Sequence, residues 1–332
     1  MKEFDIRPKA LFDEYLKISR QDIQKFFTDK KSFVETACPG CSMKDSVSAF
    51  EKDGFSYRQC PRCFSLFVSP RPTEAVIQKF YRDSDSSKFW AERFFPETAE
   101  ARREKIFKPR VKMMIELVAK FGIPHPPVFV DIGAGIGIFL EEVKKTGMFQ
   151  DIIGIEPSID LAKCLRQKGF KVIEKPVEMA GEDINNASVA CSFEVLEHLF
   201  NPAAFINSMA KLLKPDGLLI FTTLTVSGLD LLVLWDKSKS ISPPHHINFL
   251  SVEGLRALLK SCGLEEIEIT TPGKLDVDII NNARNENDQL VLPRFMEYLL
   301  KNRSEKTFVQ LQEFLQENNL SSHVRVVARK KK

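Results

Sequence analysis

The stretch that most constrains the fold is a short apolar run, Val128–Val130, which is followed at once by glycines at alternate positions. Pro126 and Pro127 come directly before the run and end whatever precedes it. An apolar run of this length predicts a central parallel strand that is buried on both faces. Residues 138–145 then show a helical pattern. Strand, glycine turn and helix together predict an α/β unit whose turn a ligand can approach.

An acidic residue follows the next predicted strand. Residues 151–155 form that strand, and Glu156 comes directly after it. A carboxylate at this place accepts hydrogen bonds from the hydroxyls of a ribose. The glycines and Glu156 therefore predict a nucleoside site, although a tight structural turn in an α/β sheet would show the same glycines.

Four motifs, taken in order, resemble those of the class I S-adenosylmethionine-dependent methyltransferases. They are Asp131-Ile-Gly-Ala-Gly-Ile-Gly137, Glu156-Pro157, Phe193-Glu-Val-Leu-Glu-His198 with Asn201-Pro202, and Leu213-Lys-Pro-Asp-Gly217. The GxGxG spacing differs from the dinucleotide fingerprint, which argues against a nicotinamide enzyme. The resemblance implies a doubly wound, seven-stranded, Rossmann-like α/β fold, with S-adenosylmethionine as the methyl donor.

The resemblance also implies which residues bind this cofactor. They lie in the glycine turn and at the ends of the second, third and fourth strands: Asp131, Gly133, Ala134, Gly135, Gly137, Glu156, Pro157, Val177, Glu178, Phe193 and Glu194. Tyr81 is a further candidate, because a tyrosine at the end of the helix before the sheet often approaches the cofactor in these proteins.

Periodic segments complete the predicted sheet. Strands are expected at 171–173, 189–193, 218–222, 266–270 and 323–328, the last antiparallel, and helices at 73–81, 99–120, 160–168, 205–213 and 252–261. Residues 215–217 predict a tight turn. An insertion at about 274–320 carries helix-like segments at 293–301 and 306–317. We interpret it as a lid or a homodimer interface, and the pattern favours neither.

Two pairs of cysteines lie ahead of the sheet. Cys38 and Cys41 form the first CxxC pair, and Cys60 and Cys63 form the second. This spacing predicts a tetrahedral Zn²⁺ site. Four thiolates leave no open coordination position, so we expect the zinc to be structural. Disulfides would suit a secreted protein, and nothing in the sequence suggests secretion.

The predicted organisation has four parts. These are N-terminal helices (1–35), a zinc ribbon (36–70), a helical linker (71–125) and the methyltransferase domain with its insertion (126–332). The layout resembles the zinc ribbons that precede some bacterial methyltransferases acting on sugars and other small metabolites. The sugar C-methyltransferases carry a further C-terminal domain, so an oxygen or nitrogen acceptor is at least as well supported as carbon.

Three histidines are candidates for a general base. His198 follows the fourth strand, and His245 and His246 lie in a proline-stiffened loop after the fifth, so all should reach the same sheet edge. A histidine on a solvent-exposed loop is the alternative for each.

Composition separates the remaining functional classes. The chain has 332 residues, 43% of them hydrophobic, and a net charge of +3. So small a net charge does not indicate a nucleic-acid-binding protein. It has no apolar run near the length of a membrane span, so we expect a cytoplasmic protein. The favoured function is methyl transfer to a small metabolite, such as a sugar nucleotide or saccharide. The alternatives are an RNA or protein methyltransferase that uses the ribbon for recognition, and a scaffold with a vestigial cofactor site.

Overall fold

The computed structural model describes residues 1–123 and 127–331. The break expected at Pro126, and the domain boundary predicted there, lie outside these ranges. The strands are, in chain order, β1 (Val47–Lys52), β2 (Phe55–Gln59), β3 (Leu66–Val68), β4 (Val128–Ile132), β5 (Asp151–Ile155), β6 (Lys171–Ile173), β7 (Ala187–Phe193), β8 (Leu213–Leu224), β9 (Asn248–Phe249), β10 (Leu264–Thr270) and β11 (His323–Lys330).

The α-helices follow the same numbering. They are α1 (Lys9–Phe26), α2 (Glu74–Asp83), α3 (Asp85–Phe89), α4 (Phe95–Arg102), α5 (Lys108–Lys120), α6 (Ile138–Lys145), α7 (Ile159–Gln167), α8 (Pro202–Leu212), α9 (Leu229–Leu234), α10 (Val252–Ser261), α11 (Asp276–Glu286), α12 (Arg294–Asn302) and α13 (Glu305–Glu317). Within the described ranges, no helix combines the length and apolar character that a membrane span needs.

Seven strands form one sheet in the order β10-β11-β8-β7-β4-β5-β6. Strands β4 to β8 run parallel, and β11 pairs antiparallel with both β8 and β10. The chain enters the sheet at β4, moves outward to β6 and returns to the other side of β4 at β7. This is the doubly wound, Rossmann-like topology that the sequence predicts. The order reverses at β4 and β7, so their carboxyl ends form the crevice in which such sheets bind ligands.

The sheet is buried on both faces because its central strands are apolar throughout. Every residue of β4 is buried. Val128 and Val130 belong to one apolar cluster, with side chains of α8 and α10, whereas Phe129 belongs to another, with side chains of α5 and α6. The continuous apolar run therefore has the structural cause that the sequence indicated.

The fifth strand of the sheet differs from its prediction. β8 begins at Leu213, where that residue pairs with Ala187, and pairing resumes at Leu218 with Val189. The expected turn at 215–217 is thus a bulge inside the strand, where Asp216 has a φ of +62°. A strand that resumes its pairing after a bulge cannot be distinguished from a new strand by sequence pattern alone.

The linker helix is also interrupted. π-helical turns at Trp90–Phe94 and Arg103–Phe107 join α3 to α4 and α4 to α5. The predicted helix at 99–120 therefore spans two α-helices and a π-helical turn. A pattern with a period of 3.6 residues does not reveal the extra residue of such a turn.

The insertion contains a helix that the sequence did not predict. α12 and α13 match the two expected segments, but α11 precedes them. Ile280 of α11 packs with Leu234, Leu292 and Met296. The carboxylate of Asp276 accepts hydrogen bonds from Gln312 Nε2 and from the Ser322 N–H group, both at 2.8 Å. The insertion is therefore fastened to the start of β11.

A second, four-stranded sheet has the order β1-β2-β3-β9. Asp53 and Gly54, with φ of +47° and +81°, join β1 to β2 as the hairpin turn expected around Gly54. β3 pairs with β9, which lies far along the chain in the methyltransferase domain. The sheet of the ribbon (residues 36–70) therefore includes a strand from outside the predicted module.

Candidate functional site

The glycine loop (residues 133–137) joins β4 to α6. Gly133, Gly135 and Gly137 all have positive φ, at +75°, +56° and +81°. A Cβ at Gly133 would lie 2.8 Å from Val195 Cγ2, and one at Gly137 would overlap Leu165 Cδ2. A Cβ at Gly135 would meet nothing within 4 Å. The outer glycines thus permit close packing, whereas Gly135 keeps its backbone open to a ligand.

Glu156 reaches the glycine loop from the end of β5. Its carboxylate accepts hydrogen bonds from the N–H groups of Gly135, at 2.9 Å, and Ser158, at 3.0 Å. Burial raises the pKa of Glu156, and these two N–H groups oppose the rise. The structure therefore places Glu156 against the loop, with its acidic group at the open glycine.

Asp131, at the end of β4, is a second buried carboxyl group of this region. Burial and the charge of Glu156 raise its pKa to about 7, and the charge of Arg110 opposes the rise. Ala134 is buried in the cluster that covers α6, and Pro157 is exposed beside Glu156. The residues expected around the nucleoside are thus neighbours in space.

The residues after β6 are divided between core and surface. Val177 is buried in the main core, whereas Glu178 is exposed. Burial of part of its side chain raises the pKa of Glu178. Met179 and Ile159, which follow β6 and β5, are 64% and 68% exposed. These two apolar side chains were not singled out from the sequence, although both lie at the carboxyl edge of the sheet.

Glu194, directly after β7, is the centre of a charged network. Its Oε1 atom accepts hydrogen bonds from Arg110 Nη2 at 2.7 Å, Thr222 Oγ1 at 2.6 Å and His323 Nε2 at 2.6 Å. Burial opposes its ionisation, but the charges of His323 and Arg110 hold the pKa of Glu194 well below its usual range. Glu194 is therefore ionised, and it holds the three donor side chains in fixed orientations. The Arg110 guanidinium also lies 4.6 Å from the Phe193 ring centroid.

Glu197 and His198 lie deeper at the same edge. Glu197 Oε2 accepts a hydrogen bond from Thr223 Oγ1 at 2.8 Å, and burial with the charge of Glu194 raises its pKa to about 8. His198 Nδ1 lies 2.9 Å from the carbonyl oxygen of His245. A carbonyl only accepts, so Nδ1 carries the proton and Nε2 is bare. Burial lowers the pKa of His198 to about 4.

The histidine loop (residues 240–251) presents His246 to His198. His246 Nδ1 lies 2.6 Å from the Ser240 carbonyl oxygen, which fixes the same tautomer. Burial, and then the charge of His198, lower the pKa of His246 to about 3. The two rings are 4.9 Å apart, and Glu197, His198 and His246 offer ligand atoms within 4.8 Å of one another. Such a set of two imidazoles and a carboxyl group can share a proton or hold a divalent cation.

His245 and Tyr81 lie on the other side of the loop. The His245 ring is buried 4.9 Å from the ring of Phe80, and its Nε2 lies 3.3 Å from Ser86 Oγ. The Tyr81 hydroxyl contacts His198 Nδ1 at 3.1 Å and donates to the His245 carbonyl oxygen at 3.3 Å. Tyr81 thus contacts His198 and the backbone of His245.

The four cysteines of the ribbon come together. Cys38 Sγ and Cys63 Sγ are 3.5 Å apart, as are Cys41 Sγ and Cys60 Sγ, and all four atoms lie within 4.8 Å of one another. All four are free thiols. Sulfur ligands about 2.3 Å from a tetrahedral Zn²⁺ lie roughly 3.8 Å apart. The four side chains therefore have the geometry that such an ion requires.

The ribbon also holds the histidine loop. Tyr57 of β2 donates its hydroxyl to the His246 carbonyl oxygen at 2.7 Å. The Ser251 N–H donates to Ser65 Oγ at 3.1 Å, and Ser251 Oγ donates to the Cys63 carbonyl oxygen. The site thus depends on contacts that the sequence did not reveal, since neither these serines nor Arg110 and His323 belong to a recognisable motif.

Comparison with known proteins agrees with this geometry. A family model described as a methyltransferase domain matches residues 100–269, just over half of the chain. The match includes neither the ribbon nor the insertion.

Several curated relatives are ubiquinone biosynthesis O-methyltransferases. The mitochondrial enzyme of Dictyostelium discoideum is 28% identical over 142 residues, which cover 37% of this chain and 44% of that protein. The enzyme of Xanthomonas axonopodis pv. citri (strain 306) is 28% identical over 149 residues, which cover 41% of this chain and 62% of that protein. The chain thus spans about half the length of these relatives.

Among solved structures, the fold is similar to the plantazolicin methyltransferase BamL in complex with a triazolic desmethylPZN analogue and SAH. The TM-score is 0.51 with 15% identity, over 77% of this chain and 94% of that one. The likeness at this identity concerns the fold alone. The family match over residues 100–269 shows that this chain belongs to the methyltransferase-domain family.

Proposed function

We propose that this enzyme methylates a small metabolite, at a hydroxyl oxygen in preference to nitrogen or carbon. Several relatives are named as O-methyltransferases, which supports an oxygen acceptor. A sugar nucleotide or another saccharide, as the N-terminal layout suggested, offers hydroxyl groups of this kind. The observation that carries the proposal is the open backbone at Gly135 beside the carboxylate of Glu156.

We propose S-adenosylmethionine as the methyl donor, and the residues of this region fit it. Glu156 would accept hydrogen bonds from the ribose hydroxyls, and Asp131 is a carboxyl group suited to the amino end of the donor. Gly135 leaves room for the part of the donor that joins its ribose to its amino end. The sulfonium of the bound donor supplies an activated methyl group. The protein therefore needs mainly to orient the acceptor, which can contribute about 7–11 kcal/mol.

The acceptor would lie between the end of β7 and the histidine loop. His246 and His198 each present a bare Nε2, and either can accept a proton from a hydroxyl group as it reacts. Their low pKa values make them weak bases. Glu197, with a pKa of about 8, is already protonated at neutral pH, so an imidazole nitrogen is the atom of this set that can accept the proton. His245, packed among aromatic rings, is the less favoured of the predicted bases.

We also propose that Cys38, Cys41, Cys60 and Cys63 hold a structural zinc ion. Four thiolates would close its coordination sphere and leave no position for the acceptor. The ion would act by fixing the ribbon, and through Tyr57 and Ser65 it would fix the histidine loop.

Calorimetry with S-adenosylhomocysteine tests the donor site. An arginine at Gly135 would fill the open space, so G135R should abolish binding. Gly147 offers a matched control, because it also has a positive φ, of +63°, and open space around it. G147R carries the same backbone strain, about 1–2 kcal/mol, and should bind normally. Equal binding by wild type and G135R would refute the proposed site. Release of S-adenosylhomocysteine with phenols and saccharides then identifies the acceptor.

A further inference from the structure

Two guanidinium groups, those of Arg7 and Arg102, have no anionic partner among the described residues. Among the residues that the structure describes, the side chains of Arg7 and Arg102 make no hydrogen bond and no ion pair. Each lies over a ring, with its Cζ atom 5.5 Å from the centroid of Phe12 or Phe95. Arg102 Nε is fully buried and has no acceptor. A buried, charged hydrogen-bond donor without an acceptor lowers the stability of the fold unless a ligand supplies the acceptor.

The neighbouring arginines, in contrast, are paired with carboxylates. Arg103 makes ion pairs with Glu141 and Glu142, both at 2.5 Å. Arg110 pairs with Glu194 at 2.7 Å, and Glu194 is already shared with other donors. The described residues therefore leave no free carboxylate in contact with Arg7 or Arg102.

Ring contacts connect both arginines to the histidine loop. The Phe12 ring under Arg7 lies 5.8 Å from the Tyr15 ring, and the Phe95 ring under Arg102 lies 5.7 Å from the Trp90 ring. The Tyr15 ring in turn lies 4.8 Å from Trp90 and 5.5 Å from His245.

Burial, and then the charges of Arg7 and Arg110, lower the pKa of Arg102 to about 9, whereas Glu194 opposes the change. The charge of Arg7 also contributes, after burial and His198, to the low pKa of His246. Arg102 thus lies within electrostatic reach of Arg7 and of the Glu194 network, and Arg7 lies within reach of His246.

Local structure holds each arginine in this place. Arg102 is the last residue of α4, between the two π-helical turns of the linker, and such turns often occur at functional sites. Arg7 precedes α1 in a segment fastened to the insertion. The Glu3 N–H donates to Asp278 Oδ2 at 2.7 Å, and Asn282 Nδ2 donates to Glu3 Oε2 at 3.0 Å.

We propose that Arg7 and Arg102 bind an oxyanion of the acceptor, a carboxylate or a phosphate. The inference rests on the proposed function, because it assigns the binding of one end of the same acceptor. Planar guanidinium groups match both anions and hold them in a fixed orientation. A hydroxyl elsewhere on the acceptor would then be directed toward His246 and His198. A neutral acceptor would leave both charges uncompensated.

Calorimetry on the enzyme saturated with S-adenosylhomocysteine tests the proposal, with inorganic phosphate and benzoate as probes. Bound S-adenosylhomocysteine already fills the site for its own carboxylate, so a probe anion has to bind elsewhere. We expect wild type to bind at least one probe at about millimolar concentration. The double variant R7Q/R102Q should bind it at least about 10-fold more weakly. The probe that binds identifies the acceptor anion as carboxylate or phosphate.

Matched measurements separate this proposal from its alternatives. R93Q removes an exposed arginine of the same linker and should leave anion binding unchanged. The double variant should bind S-adenosylhomocysteine within about twofold of wild type. If it loses this binding instead, the arginines hold the carboxylate of the cofactor, and the proposal is overturned. Binding of S-adenosylhomocysteine without either anion also overturns it. No binding of S-adenosylhomocysteine to wild type would refute the donor site itself.

Discussion

The two halves of the proposed site differ in how the chain assembles them. The nucleoside half, made of Asp131, the glycine loop and Glu156, comes from one continuous α/β unit, and its Gly135–Glu156 hydrogen bond spans 21 residues. The acceptor half is made of Glu197, His198 and the histidine loop. Glu197 follows β7 of the main sheet and accepts a hydrogen bond from Thr223, whereas the ribbon holds the histidine loop. Its Tyr57–His246 and Ser65–Ser251 contacts span 189 and 186 residues.

This difference indicates that the halves should respond independently to change. The nucleoside half depends on β4, β5 and their helices, which the core of the sheet stabilises. The acceptor half depends on a second sheet and on four cysteines that are far from it in sequence. A perturbation of the ribbon should therefore affect the acceptor half and spare the nucleoside half.

The largest expected effect comes from C60S, which removes one of the four proposed zinc ligands. Cys60 is fully buried, and structural zinc sites contribute on the order of 10–16 kcal/mol to folding. Loss of one thiolate should release the zinc and unfold the ribbon, which frees the histidine loop. Metal analysis should show about one zinc per wild-type chain and none in the variant. Hydrogen exchange should accelerate at residues 240–251 and stay slow at 151–155.

The control for this variant is C164S, because Cys164 lies on α7, beside the nucleoside half. It should retain zinc and normal exchange. C60S should still bind S-adenosylhomocysteine within about twofold of wild type. Equal loss of protection in both halves would contradict the independence that the contacts indicate.

The next effect concerns His246, at the centre of the acceptor half. H246N keeps a hydrogen-bonding side chain but removes the bare imidazole nitrogen, so methyl transfer should fall about 10²-fold. Binding of S-adenosylhomocysteine should not change. Rates of S-adenosylhomocysteine release, measured with the identified acceptor, check this. An unchanged rate would exclude His246 as a base and leave His198.

Glu156 provides the reciprocal test in the nucleoside half. E156Q removes the charge that strengthens each hydrogen bond to a ribose hydroxyl, so affinity for S-adenosylhomocysteine should fall roughly 10- to 100-fold. The control E174Q alters an exposed carboxylate after β6, which pairs with Arg166 at 2.5 Å. It should have little effect, because surface pairs contribute about 0–1 kcal/mol. Normal affinity in E156Q would contradict the ribose contact.

The contrast also explains what could be predicted from the sequence. The apolar run, the glycines and Glu156 form one local pattern, so the sheet and the nucleoside half were predictable. The spacing of the cysteines likewise indicated their cluster. In contrast, the pairing of β3 with β9 and the Arg110–Glu194–His323 network arise from contacts between distant residues. The π-helical turns beside Arg102 also leave no periodic signal.

The smallest expected effect is a pH dependence of stability that originates at Glu197. Its pKa is about 8 in the folded protein and 4.5 in a solvated chain. Between these values the folded protein holds the proton and the unfolded chain does not. This contribution is therefore full below about pH 4.5 and is lost as the pH rises through 8. Between pH 6 and 8 the unfolding free energy of wild type should fall by roughly 2 kcal/mol relative to E197Q.

Urea unfolding of wild type and E197Q at pH 6, 7 and 8 measures this difference. Asp131, whose pKa is about 7, titrates in both proteins, so its contribution cancels in the comparison. His198 and His246 are neutral in the folded protein throughout this range, because their pKa values are about 4 and 3. E313Q alters an exposed carboxylate and should parallel wild type at every pH. Parallel curves for E197Q and wild type would mean that Glu197 is already ionised at pH 6. The acceptor half would then hold a permanent negative charge, which a bound cation or an imidazolium must balance.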